Sequence, residues 1–495
     1  MGVRRAPRVR AVGGAPSTGT SVAREGCRPA RAGPEGTNTV SEHRSRTGRR
    51  PAGLLLGAAA LALVTTSCAG GTSVGTPADD GPSAEAVDGT GDVGGDIRLA
   101  YWGSGPRIEV TDGVAALFTK AHPEVTVESE FADFGAYWQR LNVQATSGNM
   151  ACVTQTQARQ LNDYTTKGVF LDLDPMVESG AIDVSDIPTD VLDTGRGLDG
   201  KLYMLPYGAA HDAMMINKTM AEEAGVGLPP EGYDWPELID WLTTAQASLP
   251  EGVKALNLGG GAPPYLLAYV TSQGEEVFDG NEIGFDEDLL VDYWTMWEDL
   301  RRAGITTTAE QKAEEPPQTE QSYIAQGRVL ADDKPGNALT PAQATLDGSG
   351  SGQQLVTLPL PSGPGGSGTT SGTQGFSIPA SCDNVPTAAA FIDFWMNDDE
   401  GAALFNSANG TVTNTRHLEQ QMNDPDLPAL KKRELELYQE VVELGPPTIV
   451  YPPGYQASFE SAVTRAYETI SLGGVSVEDA AAAFIEEVNA ALAAW

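Results

Sequence analysis

Residues suited to acid–base, nucleophilic or metal chemistry are few beyond position 68: three histidines (His122, His211, His417) and two cysteines (Cys152, Cys382). The histidines do not fall in HExxH spacing, and no Walker loop, dinucleotide fingerprint or serine elbow accompanies them. The cysteines stand 230 positions apart, without the local spacing of a structural zinc site. His122 precedes a proline at the end of a helical pattern and reads as structural or exposed, whereas His211, beside Asp212, has the neighbours of a binding residue. Gly259-Gly260-Gly261 lacks the Lys-Ser or Lys-Thr of a phosphate cradle and reads as a flexible turn. Carboxylates are plentiful, 67 in all, and a glycosidase needs only two of them about 5 to 9 Å apart. Among so many, no pair stands out. The expectation is a protein without a catalytic centre, a cofactor or a metal.

Aromatic residues are more informative. Trp102, Tyr137, Trp138 and Tyr207 sit near predicted element ends, as do Tyr451, Tyr455 and Phe459. A sugar offers a face of C–H groups and an edge of hydroxyls, which suits aromatic plates set among Asp, Asn, Gln or Arg. Any one of these rings is explained as well by core packing. The set as a whole favours a carbohydrate.

Positioning such a set requires strands that end together. Residues 97–102 alternate with period two and read as a first strand, and Val110, Val114, Leu117 and Phe118 repeat at helical spacing. A strand at 125–127, a helix over 135–148, a short strand at 151–153 and a helix near 157–166 follow. Such alternation implies a parallel sheet with covering helices. Residues 200–207 feed a short strand and 212–217 read as a second, buried one; Asp234 and Glu237 have the form of a capping box. Residues 289–300 read as a helix, 306–321 as loose polar chain, and 355–360 and 375–379 as strands. Helices are expected over 386–399, 459–470 and 477–495, the last capped by Ser476.

Residues 54–68, LLLGAAALALVTTSC, follow Arg44, Arg46, Arg49 and Arg50 in the order of a secretory signal peptide. The apolar run is shorter than the roughly 20 residues that cross a bilayer as a helix. Thr65-Thr66-Ser67-Cys68 resembles a lipobox, with Thr65 where Leu, Val or Ile is usual, and implies a lipid (palmitate) on Cys68. Residues 1–67 are then a signal or leader, with a true start near Val40 as an alternative because the first 40 residues lack apolar periodicity. Residues 68–95 read as a lipid-anchored flexible tether. The formal net charge is −36; removing 1–67 takes 11 of 31 Lys and Arg but 3 of 67 Asp and Glu, which leaves 20 against 64, or −44. That charge argues against nucleic acid or an anionic membrane surface as partner. About 428 residues exceed what one core supports, so two lobes are expected. Cys152 and Cys382 are free to pair in a compartment that permits it, and the sequence leaves open whether they meet.

GKLYMLPY (200–207), DAMMINK (212–218), QSYIAQGRVL (321–330), GFSIPASCDNVPTAAAFIDFW (375–395) and ANGTVTNTR (408–416) stand in a specific order behind the lipidated start. Together they resemble the extracellular solute-binding lipoproteins of bacterial ABC sugar importers, the maltose-binding-protein-like family 1 solute-binding proteins. The resemblance implies an α/β, two-lobed periplasmic-binding-protein-like fold of type II, each lobe a mainly parallel sheet with flanking helices. Lobe one would be 96–207 plus 376–415, and lobe two 208–375 plus 416–495, with crossings near Pro206, Gly375 and Arg416. It further implies ligand-binding roles for Trp102, Ser104, Gln155, Thr156, His211, Asp212, Tyr455 and Phe459, beside which Tyr137 is a further candidate plate. The implied partners are a carbohydrate, taken to be an oligosaccharide, and the permease subunits of an ABC importer. A monomer anchored through Cys68 on the extracytoplasmic face of the cell membrane is expected. Departures from the family pattern are Ala151-Cys152 in place of Pro-Asp, Ile216 in place of an aromatic, and Thr413-Asn414 within the usual G-x-x-P-T-R. These loosen the choice of sugar. Alternatives are a binding protein for a peptide, polyol or metal ion, or a secreted glycoside hydrolase.

Overall fold

The computed structural model describes residues 87–495 apart from residue 104, so the leader, Cys68, most of the tether and Ser104 lie outside the described residues. Residues 88–94, read from sequence as the end of the tether, are held against the body: Ser179 Oγ donates to the Asp88 carbonyl at 2.7 Å, and Thr387 Oγ1 to the Gly94 carbonyl at 2.9 Å.

Strand β1 (Gly95–Trp102) lies between β2 (Val125–Ala132) and β3 (Val153–Gln157), and all three are parallel. The connections are α1 (Pro106–Ala121), opened by a proline whose missing N–H costs nothing there, and α2 (Phe134–Ser147); α3 (Ala158–Thr165) follows β3 at once. The next strand, β4 (Leu205–Asn217), is 13 residues long and buried along nearly its whole length. Sequence patterning suggests two separate strands here because Gly208-Ala209-Ala210 interrupts the bulky apolar run. The chain nevertheless stays extended and changes partners partway.

The remaining ladder strands are β5 (Lys254–Leu256), β6 (Val329–Pro335), β7 (Leu355–Leu358), β8 (Ser371–Ser377) and β9 (Thr411–Val412). Residues 205–211 of β4 pair antiparallel with β8 and β9, and residues 212–217 pair antiparallel with β6 and β7. On the near side β8 also pairs antiparallel with β3, and on the far side β5 runs parallel to β6. The partner change falls between His211, opposite Ser371, and Asp212, opposite Pro335. β7 stops at Leu358 because Pro359 has no N–H to give a ladder.

Helices α4 (Trp235–Gln246), α5 (Pro263–Gln273) and α6 (Glu287–Arg302) cover the far half. Helix α7 (Val385–Asn397) packs Phe391 and Trp395 against Phe118 and Phe376 of the near half. Helix α8 (Ala429–Leu444) backs the crossing, where Leu437 and Val441 meet Ala213. The chain closes with α9 (Ser461–Ser471) and α10 (Val477–Leu492), whose Phe484 lies edge-on to Trp294. Asp234 and Glu237 form both bonds of the capping box, and Ser476 caps the last helix.

Two further readings are corrected. Residues 306–321 are not loose: Thr308 and Gln311 make a second capping box that starts a helix over Ala309–Glu314. Gly259-Gly260-Gly261 is not a flexible turn either. A Cβ on Gly259 would stand 2.4 Å from the Tyr265 ring, and one on Gly260 2.4 Å from the Tyr467 ring, so the glycines are there to let backbone meet aromatic faces. Cys152 and Cys382 are joined by a disulfide, with Cα atoms 4.9 Å apart. Among the described residues no helix is long and apolar enough to cross a membrane.

Candidate ligand-binding cleft

Strand ends of the near half converge on one polar cluster. Tyr207 of β4 is its centre: its hydroxyl oxygen accepts from Gln155 Nε2 at 2.6 Å and from Asn409 Nδ2 at 3.1 Å. Gln155, in β3, has its amide oxygen fixed by the Trp102 backbone N–H at 3.1 Å, and Gln374 of β8 donates to the Asn409 carbonyl. Trp102 ends β1 inside an aromatic nest, 5.6 Å from Phe134, 5.4 Å from Tyr137 and 5.6 Å from Trp138. Tyr137 spends its hydroxyl on the Gln155 carbonyl at 2.6 Å, and Thr156 shares a hydrogen bond with Ser377 at 2.8 Å. Trp102, Tyr137, Gln155 and Thr156 are therefore brought together, and all four are buried.

Opposite them, α3 meets the segment 451–460 from the far end of the chain. Arg159 of α3 reaches Asp212 at 3.0 Å and Glu460 at 3.5 Å. Asn162 donates to the Tyr451 carbonyl at 2.8 Å, and Gln160 pairs with Gln456. Residues Gln456–Glu460 form a single π-helical turn leading into α9, a widened turn that recurs at functional sites. It aims Glu460 at α3 and turns Phe459 inward against Phe278 (5.1 Å) and Phe484 (5.6 Å). Tyr455 stacks on Phe459 at 5.5 Å. Asp212 and Tyr455 thus share the surroundings of Arg159, while the Phe459 ring serves the far core.

Electrostatics follow burial. Desolvation would lower the Arg159 pKa, but Asp212 and the groups around it outweigh that and hold its charge firmly. Burial pushes the Glu460 carboxyl up, with Arg159 opposing. Burial drives the His211 imidazole down to about 4; its Nδ1 lies 3.3 Å from Ser371 Oγ and its ring 5.3 Å from Tyr438. Burial also raises Asp333, near the end of β6, to about 6 although Lys334 and Lys312 oppose it. His122 and His417 are structural: one ring packs 4.6 Å from Phe118, and the other lies 3.3 Å from Asp399.

With this geometry in place, comparison with known proteins is decisive. The family model described as bacterial extracellular solute-binding protein matches residues 113–430. The chain belongs to the bacterial extracellular solute-binding proteins. A protein of Brucella abortus (strain 2308), named as a binding protein, is 28% identical over 134 residues, which are 26% of this chain and 30% of that protein's length. The periplasmic oligogalacturonide-binding protein of Yersinia enterocolitica has the same fold, with a TM-score of 0.68 at 19% identity over 81% of this chain and 99% of its own. So does the GacH receptor of Streptomyces glaucescens, solved with acarbose, at a TM-score of 0.65 and 20% identity over 82% of this chain and 100% of its own.

In this solute-binding protein β4 carries the chain from the near half of the sheet to the far half; Gln155, Tyr207 and Asn409 cluster on the near half, and α3 meets 451–460. Sequence reasoning missed Arg107, Arg159, Gln374, Asn409 and Asp333 as residues of this region. Position gives little signal: Arg159 falls inside the helix read near 157–166, and Gln374 directly precedes the strand read at 375–379. Among the described residues, no group of three His, Cys, Asp or Glu is arranged to hold a metal ion.

Proposed function

We propose that this protein binds a carbohydrate outside the cytoplasm, closes its two lobes over it, and delivers it to the membrane subunits of an ABC importer. The observation that carries this reading is the junction of an aromatic nest around Trp102 with the amide and hydroxyl cluster of Gln155, Tyr207 and Asn409. Plates beside fixed hydrogen-bonding groups are what a pyranose needs. The oligogalacturonide- and acarbose-binding relatives support an oligosaccharide as cargo. Closure is a population shift: ligand held by both lobes favours the state in which α3 meets 451–460. Lobe one comprises about 96–207 plus 376–415, and lobe two 208–375 plus 416–495. The ligand-binding set is Trp102, Ser104, Tyr137, Gln155, Thr156, His211, Asp212, Tyr455 and Phe459, with the rings of Tyr137 and Phe459 acting from beneath the surface. The protein works as a monomer tethered by lipid at Cys68.

Calorimetric titration of the full chain against neutral mono- and oligosaccharides tests this. Saturable one-to-one binding, weakened about tenfold or more by Gln155→Ala, is expected. Heat with peptides or polyols, and none with any sugar, would overturn it.

A further inference from the structure

Among the described residues, the non-glycine positions with a left-handed φ stand side by side: Asn406 at 43° and Ser407 at 52°. Asn406 closes the short helix Asp399–Phe405, where asparagine is an accepted cap. Ser407 is not a residue that visits this region freely, and holding it there costs free energy that its surroundings must offset. Three hydrogen bonds do so. The Ser407 hydroxyl donates to Gln421 Oε1 at 2.6 Å and accepts from the Val412 N–H at 3.0 Å, and Lys431 Nζ donates to the Ser407 carbonyl at 2.8 Å. These partners belong to the helix Thr415–Met422, to β9 and to α8, so three elements clamp one buried serine.

The clamped turn leads directly to Asn409. Its exit strand β9 pairs with β4, Thr411 opposite Ala209 and Val412 opposite Gly208. A Cβ on Gly208 would stand 2.5 Å from the Asn409 carbonyl oxygen, which also accepts from Gln374 Nε2. The Asn409 side chain donates through Nδ2 to the Tyr207 hydroxyl at 3.1 Å, and Gln155 Nε2 donates to the same oxygen at 2.6 Å.

Hydrogen-bond accounting leaves two groups over. A phenol offers one proton and two lone pairs, and both lone pairs of Tyr207 are taken. Gln155 spends its amide oxygen on the Trp102 N–H, and Gln374 Oε1 lies 3.5 Å from Gln155 Nε2. Among the described residues the Tyr207 proton meets no acceptor and Asn409 Oδ1 meets no donor. One unspent donor and one unspent acceptor thus stand on side chains already in contact. A neutral hydroxyl, which gives one hydrogen and takes another, satisfies both; a carboxylate answers the donor alone and an ammonium the acceptor alone.

Resting on the carbohydrate reading, we propose that Asn409 is a specificity-determining residue that holds one sugar hydroxyl between its Oδ1 and the Tyr207 O–H, and that the strained Ser407 turn is the device that positions it.

The test is calorimetric titration of the full chain with glucose, galactose, maltotriose, cellotriose and galactotriose, followed by the monodeoxy forms of whichever binds. One monodeoxy form is expected to bind the parent about tenfold or more weakly; Asn409→Ala should lose about as much for the complete sugar and nothing further for that form. Ser407→Ala and Ser407→Gly separate position from stability. Glycine relieves the left-handed φ, so Ser407→Gly should melt above Ser407→Ala. Both lack the clamping hydroxyl, so both should bind the sugar about threefold or more weakly than the parent. An unchanged affinity in Asn409→Ala, or losses that multiply between it and every monodeoxy form, would overturn the Asn409 contact. An affinity untouched in both Ser407 variants, or recovered with the melt in Ser407→Gly, would overturn the positioning role. The carbohydrate reading stands in either case, whereas binding of none of these sugars would remove that reading and this proposal together.

Discussion

His211 and Asp333 lie near the crossing and pull stability in opposite directions as pH changes. Burial holds His211 down at about 4, so the unfolded chain takes up its proton first on acidification. Its contribution is complete above about pH 6.5 and is lost as pH falls towards 4, roughly 3 kcal/mol across the window. Asp333, raised to about 6, keeps its proton longer in the folded chain, so its contribution is present at low pH and is lost as pH rises through 6. Denaturant titrations at stepped pH should therefore show a nearly flat contribution between pH 4 and 6.5 in the parent, a fall in stability with rising pH in His211→Gln and a rise in Asp333→Asn. Identical profiles in both variants and the parent would refute these environments. Gln155, Asp212 and Tyr207 were legible in the sequence because each stands at or beside a strand end with a polar or aromatic neighbour. Arg159 is not, since an arginine in a helix's first turn looks like any surface charge until a distant segment, here 451–460, folds against it.

Elements defined by local chemistry were the readable ones. Asp234 with Glu237, and Ser476 with Asp479, announce their helices by reciprocal bonds that need nothing from the rest of the chain. The same signal, Thr308 with Gln311, is faint in the sequence because the helix it starts is only six residues long and has no buried face. The sequence suggests two strands where β4 is one, because a strand that changes partners at its midpoint owes its continuity to β6, β7 and β8, which arrive more than 100 residues later. The glycine run at 259–261 shows how composition misleads: the residues are small to admit rings, not to bend. Trp294 Nε1 donates to the Gly260 carbonyl at 3.0 Å, which fixes that backbone against the Tyr467 ring. Gly260→Ala is expected to cost about 1–3 kcal/mol through overpacking, read as a lowered melting temperature. An unchanged melt would mean that Tyr467 swings aside.

Across the whole molecule the near half is assembled from distant pieces, with β3 and β8 side by side, Gln157 opposite Gln374. The Cys152–Cys382 disulfide fastens the same two pieces and closes a loop of 230 residues. Removing it should lower stability by about 2–5 kcal/mol, largely by freeing the unfolded chain. A melting temperature that falls under reductant, and falls equally in a Cys152→Ala/Cys382→Ala double variant, is the expected result. No shift in either case would mean that β3 and β8 hold the pieces unaided. The spacing of the bridge also sets a timetable for biosynthesis. Cys152 emerges long before its mate and waits as a thiol while the whole of the far half's α4 to α6 is still being threaded out. During that interval any other nascent thiol is a competing partner, so the yield of correctly exported molecules is set by how well the receiving compartment reshuffles early, mistaken bonds.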